Sequence, residues 1–166
     1  MALGPVWAFV RPTLYCVLAW GAFTEGVGAQ TIVGTATIVD GDTLTVSGLK
    51  IRIWGIDAPE SQQQCEADGR SYVCGKEATR YLGSLVAERE AACTVRTHDR
   101  YQRAVAVCVV EGKDLGAEMV RAGRALAFVR YSSDYVAIEQ EARSAGRGLW
   151  AGQFTKPWEW RAQRRQ

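Results

Sequence analysis

Short β-rich runs punctuated by turn residues, with helical stretches between and after them, predict a β-rich α+β domain: a five-stranded barrel of the OB type with about three α-helices. Three observations carry that expectation. Five runs of strand composition follow one another at short intervals, an amphipathic helical stretch falls between the third and fourth, and no repeat or low-complexity linker divides the chain. Such an order suits a small barrel better than a sandwich, and the pattern leaves an open α+β sheet as the alternative.

Residues 31–39 are β-rich, Asp40-Gly41 is a hairpin signal, and residues 43–46 resume the strand pattern. Ser47-Gly48 makes a second turn before a third strand over residues 50–56. A loop bounded by cysteines follows. Over residues 76–90 the apolar Ala78, Tyr81, Leu82, Leu85 and Val86 recur at helical spacing with charges between them. Residues 94–97 and 104–110 form a hairpin about the turn from Asp99 to Gln102. Asp114 is placed to cap a short helix burying Leu115, Met119 and Val120 and stopping at Gly123. Ser132 or Ser133 is placed to cap a last helix with Tyr135, Ile138 and Ala142 on one face. Trp150, Phe154, Pro157, Trp158 and Trp160 are expected to cover the barrel as a C-terminal strap, with a stacking platform as the alternative.

A chain of 166 residues is enough for one core. Its expected division is a leader over residues 1–29, a barrel domain over 30–150 and an aromatic, basic tail over 151–166. The net charge of +2 creates no global field, so anion binding has to come from local placement of arginines. The late cluster containing Arg121, Arg124, Arg130, Arg161 and Arg165 is as well read as solvated surface as a binding face.

The N-terminus reads as an export signal. Arg11 precedes an uncharged run over residues 14–23, and Val27-Gly28-Ala29 supplies small residues for cleavage before Gln30. Arg11 and Pro12 interrupt the segment and argue against an uncleaved anchor, while Thr13-Leu14-Tyr15 lacks the small residues of a lipoprotein site at Cys16. The mature chain is thus expected in the periplasm or outside the cell, off the membrane, as a monomer. Removing the leader leaves Cys65, Cys74, Cys93 and Cys108, which in an exported chain read as two disulfides. Cys93 and Cys108 are equidistant from the centre between Arg100 and Tyr101, so an antiparallel hairpin opposes them and leaves Cys65 to pair with Cys74. Zinc is the competing use; the chain has no C-x-x-C pair and His98 stands alone.

The residues suited to chemistry gather in two segments. Thr37-Ile38-Val39-Asp40-Gly41-Asp42-Thr43-Leu44 is followed by Ile51-Arg52-Ile53-Trp54-Gly55-Ile56-Asp57-Ala58-Pro59-Glu60. Carboxylates beside a guanidinium at strand ends suit a hard cation and a phosphate. Asp and Gly are also ordinary occupants of a tight turn, and Thr45 rules out an EF-hand by standing where that loop needs glycine. Asp57 tips the balance: with Asp42 it can offer charged oxygens to Ca²⁺, the Ala58 carbonyl, water and a substrate phosphate completing the shell. Asp40 is expected to shape the turn. Arg52 alternates with Ile51 and Ile53 and so faces away from them, toward solvent or toward a site at the barrel mouth.

These segments, with the later Asp99-Arg100-Tyr101-Gln102-Arg103, resemble the staphylococcal nuclease family over about residues 37–150. The resemblance implies the barrel fold, Ca²⁺ held at Asp42, Asp57 and the Ala58 carbonyl, and hydrolysis of DNA or RNA to 3′-phosphorylated products. It implies Glu60 as general base and Arg52 and Arg103 on the phosphate. Tyr101 and Tyr131 are candidates to stack on bases, and Tyr131 matches a tyrosine of the family's nucleotide pocket. Three positions depart from the family: Ala58 where threonine is usual, Gln102 where glycine is usual, and Val129 where a second pocket tyrosine would stand. The rival readings are a catalytically silent nucleic-acid-binding module on the same fold, and a secreted interaction domain.

Overall fold

A computed structural model of the protein describes residues 30–165 together with Met1 and Gly4. The expected export signal therefore lies outside the described residues. Strands β1 (Thr31–Ile38), β2 (Thr43–Val46) and β3 (Leu49–Ile53) form a meander. The long hairpin of β7 (Glu90–His98) and β8 (Ala104–Val110) adds to β1, and β8 pairs in parallel with β3. That last pairing closes the sheet into a five-stranded barrel, so the barrel, not the open sheet, is the fold. Alternation fills its interior: Ala104, Ala106, Cys108 and Val110 of β8 face Ile51 and Ile53 of β3, Leu44 and Val46 of β2, and Ala91 and Cys93 of β7.

Between β3 and β7 run β4 (Ile56–Asp57), the hairpin β5 (Cys65–Ala67) and β6 (Arg70–Tyr72), and α1 (Cys74–Val86). The expected third strand over 50–56 is thus broken. Gly55 turns the chain with φ of +70°, a conformation glycine adopts more readily than other residues, and β4 leaves the barrel. Helix α1 lays Ala78, Leu82 and Val86 on the core and ends four residues before the expected Glu90, where Ala87 and Glu88 adopt positive φ.

After β8 come β9 (Lys113–Asp114), α2 (Leu115–Arg121), β10 (Leu126–Ala127), α3 (Val136–Ser144), a 3-10 turn (Gly148–Ala151), β11 (Gly152–Gln153) and α4 (Pro157–Gln163). Asp114 caps α2 as expected, accepting hydrogen bonds from the Gly116 and Ala117 amides at 2.8 and 3.2 Å. Neither Ser132 nor Ser133 caps α3. Its N-cap is Tyr135, and the Ser132 hydroxyl accepts from the Asp134 amide, one turn too early.

Both disulfides pair as the hairpin argument expects, Cys65 with Cys74 and Cys93 with Cys108, leaving none of these cysteines for zinc. The register gets there by a different route. The loop is centred on Tyr101 and closed by Asp99 N–H on the Arg103 carbonyl at 3.1 Å, which alone would misalign the cysteines by one. A bulge between Val95 and Thr97 restores the register and sets Cys93 opposite Cys108. Closing a loop of sequence separation 15 is expected to contribute about 2–4 kcal/mol. A Cys93→Ala, Cys108→Ala variant should show that loss in denaturant unfolding, and peptide mapping of the unreduced protein should recover both links.

The tail departs from a simple strap. Trp150, Phe154 and Trp158 gather with Tyr72 around Cys65, Cys74, Leu126 and Leu149, a second small core beside the barrel. Pro157, pre-set for the first helical position, starts α4, a fourth α-helix. Among the described residues no helix is long and apolar enough to cross a membrane.

Candidate active site

One end of the barrel collects the chemistry. The Asp40-Gly41-Asp42 turn enters β2, whose first residue Thr43 pairs with Arg52 of β3. Asp40 shapes this turn, its carboxylate accepting the Asp42 amide at 3.0 Å. Gly41 is needed for packing: a Cβ there would lie 2.7 Å from that of Ala58 and 2.8 Å from that of Ala78. This close seating holds Asp42 over the start of the segment that carries Ala58 and Glu60. Asp57 is fixed from the other side, β4 pairing it with Leu126 of β10.

Arg52 faces the mouth of the barrel and bridges the two aspartates. Its Nη1 donates to Asp42 Oδ1 at 2.9 Å and its Nη2 to Asp57 Oδ1 at 2.8 Å. The remaining Asp42 contacts are the Thr43 hydroxyl on Oδ1 at 2.9 Å and the Ala58 amide on Oδ2 at 3.2 Å. Asp42 is 5% exposed and Asp57 fully buried. Burial pushes the Asp42 carboxyl above the usual range; Arg52 offsets part of the rise and Asp40 adds to it. Burial likewise raises Asp57, against the hydrogen bonds of a second arginine, Arg161.

Arg161 was not among the expected site residues. It reaches in from α4, with Nη2 on Asp57 Oδ2 at 2.7 Å, Nη1 on Asp57 Oδ1 at 3.2 Å, and Nη1 on Glu60 Oε1 at 2.7 Å. Gln63, buried, is the second unexpected member. Its side-chain oxygen accepts the Glu60 amide at 3.2 Å and its Nε2 donates to the Thr155 carbonyl at 2.6 Å. It thereby ties the loop carrying Glu60 to the segment leading into α4. The signal for Arg161 lay in Pro157 as a helix start and in Trp158 and Arg161 three residues apart, on one helical face.

Arg103 lies on the opposite lip. Its Nε pairs with Asp99 Oδ2 at 2.7 Å, and it does not touch the acidic pair. Asp99 Oδ1 also accepts the Tyr101 and Arg103 amides at 2.8 and 3.0 Å, so one carboxylate organises the whole loop. Gln102 takes a φ of +60°, the left-handed conformation that glycine adopts freely. Burial alone would raise the Asp99 carboxyl; the hydrogen bonds from Arg103 and the two amides outweigh it and hold it below the usual range. A lowered carboxyl stabilises above its unfolded value, about 3.9, and that stability fades as pH falls through the folded value. Arg103 should therefore be released only below about pH 4, observable as loss of the Asp99-dependent shifts of the Tyr101 and Arg103 amides. Their persistence in Asp99→Asn would contradict this.

A groove of about 860 Å³ runs between these lips. Asp42, Arg52, Glu60, Arg103 and Arg161 line it with Tyr101, Tyr131, Phe128 and Trp158, while Asp57 sits beneath. Tyr101 is 65% exposed, with the guanidiniums of Arg100 and Arg103 at 4.8 and 5.7 Å from its ring centre. Tyr131, 62% exposed, leans on Phe128 with ring centres 5.0 Å apart. The structure thus brings Asp42, Asp57, Ala58, Glu60 and Arg52 together and sets Arg103, Tyr101 and Tyr131 on the same groove.

The oxygen donors fit a hard cation in kind. They fall short in number: among the described residues no three acidic, histidine or cysteine side chains are disposed to hold one ion together. The backbone carbonyl of Ala58, water and substrate oxygens would have to complete the shell.

Comparison with known proteins places this architecture. The family model described as staphylococcal nuclease homologue matches residues 50–152. The succinoglycan biosynthesis protein ExoI of Rhizobium meliloti is 36% identical over 149 residues, 85% of this chain and 76% of that protein. An uncharacterized endonuclease of Haemophilus influenzae is 34% identical over 134 residues, 76% of this chain and 70% of its own. Another, from Escherichia coli O157:H7, is 30% identical over 158 residues, 90% of this chain and 95% of its own. The barrel, the bridged aspartates and these similarities agree: the chain belongs to the staphylococcal nuclease family.

Proposed function

We propose that this protein is an exported, Ca²⁺-dependent nuclease that hydrolyses phosphodiester bonds of DNA or RNA and leaves 3′-phosphorylated products. The observation that carries the reading is the pair of buried aspartates bridged by Arg52 at the edge of a groove that also holds Glu60 and Arg103. The endonuclease names of two relatives point the same way.

Asp42, Asp57 and the Ala58 carbonyl would hold Ca²⁺, which when bound supplies positive charge to a substrate phosphate. Glu60, on the groove, takes a proton from water as the water oxygen bonds to phosphorus and the bond to the 5′-oxygen breaks. The 5′-oxygen leaves, taking a proton from solvent water, and the phosphate stays on the 3′ side. Arg52 and Arg103 donate to the nonbridging oxygens, where charge develops; a planar fork suits that geometry. For Arg103 this means exchanging Asp99 for phosphate, or sharing its free Nη groups while Nε stays paired. Tyr101 and Tyr131 offer exposed faces to bases, which tolerates either sugar and any sequence. Export fits two disulfides, which persist in oxidising compartments, and the protein is expected to act as a monomer.

The test is end analysis by mass spectrometry of an oligonucleotide digest. Fragments carrying 3′-phosphate and 5′-hydroxyl support the reading. Fragments with 5′-phosphate would place the broken bond on the other side of phosphorus, and an intact oligonucleotide would leave a binding module.

A further inference from the structure

Arg161 occupies a position that the proposed chemistry does not use. It lies beyond residue 152, where the family match ends, on a helix that the tail adds to the barrel. Its guanidinium covers both carboxylate oxygens of Asp57 and one of Glu60. Arg161 lines the groove and Asp57 does not. Asp57 is thus closed off by arginine from both sides, by Arg52 within the barrel and by Arg161 across its approach. Of the two, Arg52 is built into β3, whereas Arg161 arrives on a seven-residue helix. That helix has anchors of its own: Trp158 packs on Phe128 with ring centres 5.5 Å apart, and Gln63 holds the Thr155 carbonyl. These contacts hold α4 in addition to the ion pairs of Arg161, so the helix is docked at points other than that side chain.

A dication and the Arg161 guanidinium would compete for Asp57 Oδ2, which Arg161 Nη2 already holds at 2.7 Å. A dication set beside a guanidinium in a half-buried site meets a repulsion comparable to the attraction of one carboxylate. We propose that Arg161 is a latch on the cation site: it holds Asp57 Oδ2 when no divalent cation is present, and the cation must exchange with it to reach Asp57. Arg161 then sets the cation affinity. Once displaced it stays on the groove beside Glu60, placed to join Arg52 and Arg103 at the substrate phosphate. This rests on the Ca²⁺ reading above and adds to it a residue of the tail.

The experiment is calorimetric titration of CaCl₂ into the purified protein, Arg161→Gln, Arg161→Lys and Asp57→Asn, with folding checked by circular dichroism. Arg161→Gln should bind Ca²⁺ roughly tenfold or more tightly than the wild type, because the competing charge is gone. Arg161→Lys, which keeps the charge and loses the fork, should fall between them, and Asp57→Asn should bind weakly or not at all. Equal or weaker binding by a folded Arg161→Gln overturns the latch while leaving a calcium site at Asp57. No uptake by any folded variant at millimolar CaCl₂ overturns the calcium reading and the latch with it. A second readout uses only the wild type: the side-chain ¹⁵Nε resonance of Arg161 should move on adding CaCl₂ and stay in place with KCl at equal ionic strength. A resonance unmoved at saturating CaCl₂ overturns the exchange even where Arg161→Gln fails to fold.

Discussion

Replacing Glu60 by glutamine is expected to lower turnover by roughly 10²–10⁴-fold, the usual contribution of a positioned general base. Glutamine keeps the size of the side chain and an oxygen to accept the Arg161 Nη1 hydrogen bond now made at 2.7 Å. The backbone around it is held independently, through the Glu60 amide on Gln63 and Gln63 on Thr155. The variant should therefore fold and bind oligonucleotide nearly as the wild type does, with the loss confined to the chemical step. Glu60 is 37% exposed at the side chain and lines the groove, so water has access to it. Steady-state cleavage of a fluorescent oligonucleotide, read as kcat separately from KM, checks the expectation. Near-wild-type kcat in a folded Glu60→Gln protein would remove Glu60 from the role of base.

Asp42→Asn carries the second large effect. Asparagine keeps an oxygen but removes a charge from the cation shell, so Ca²⁺ affinity should fall by at least about tenfold. Turnover at fixed low calcium should fall with it, and high calcium should restore part of it. Mg²⁺ demands a stricter octahedral shell and should be a poor substitute in both proteins. Stability should move the other way. Burial raises the Asp42 carboxyl above its unfolded value, so the folded protein binds the proton better than the unfolded chain. The charged form therefore costs stability once pH rises through the folded value, and the cost is absent below the unfolded one. A neutral asparagine removes it, so without calcium at neutral pH Asp42→Asn should melt no lower than the wild type. Calcium should then raise the Tm of the wild type and barely move that of the variant. A clear drop in Tm of the calcium-free variant would show that the pair with Arg52 outweighs burial.

Much of this site is written locally. The alternation of Ile51, Arg52 and Ile53 put the guanidinium on the face away from the core, and β3 carries it to the barrel mouth. Asp114 was readable as a cap because the hydrogen bonds it makes are to its own next turn. The cysteine pairing was legible for a subtler reason: the loop is one residue off the expected centre, and the bulge at Val95 and Thr97 compensates. What escaped the sequence was long-range. Arg161 meets Asp57 across 104 residues and Gln63 meets Thr155 across 92, distances over which no periodicity speaks. The tail aromatics looked like a cover for the barrel because hydrophobicity gives no address. The Cys65–Cys74 link and Leu126 and Leu149 gave them a core of their own, and that core delivers α4 to the site. Gln102 shows the opposite case, a residue outside the expected pattern that takes a positive φ, the conformation glycine adopts freely.

One cleavage assay tests the need for a cation at Asp42 and Asp57 most directly. Single-stranded DNA and RNA are incubated with the wild type in excess chelator, after calcium is restored, and after Mg²⁺ is supplied instead, with Glu60→Gln alongside. Cleavage that vanishes in chelator, returns with calcium, responds poorly to Mg²⁺ and is nearly absent in Glu60→Gln is the predicted result. Cleavage undiminished in excess chelator would contradict a mechanism that needs a cation at Asp42 and Asp57.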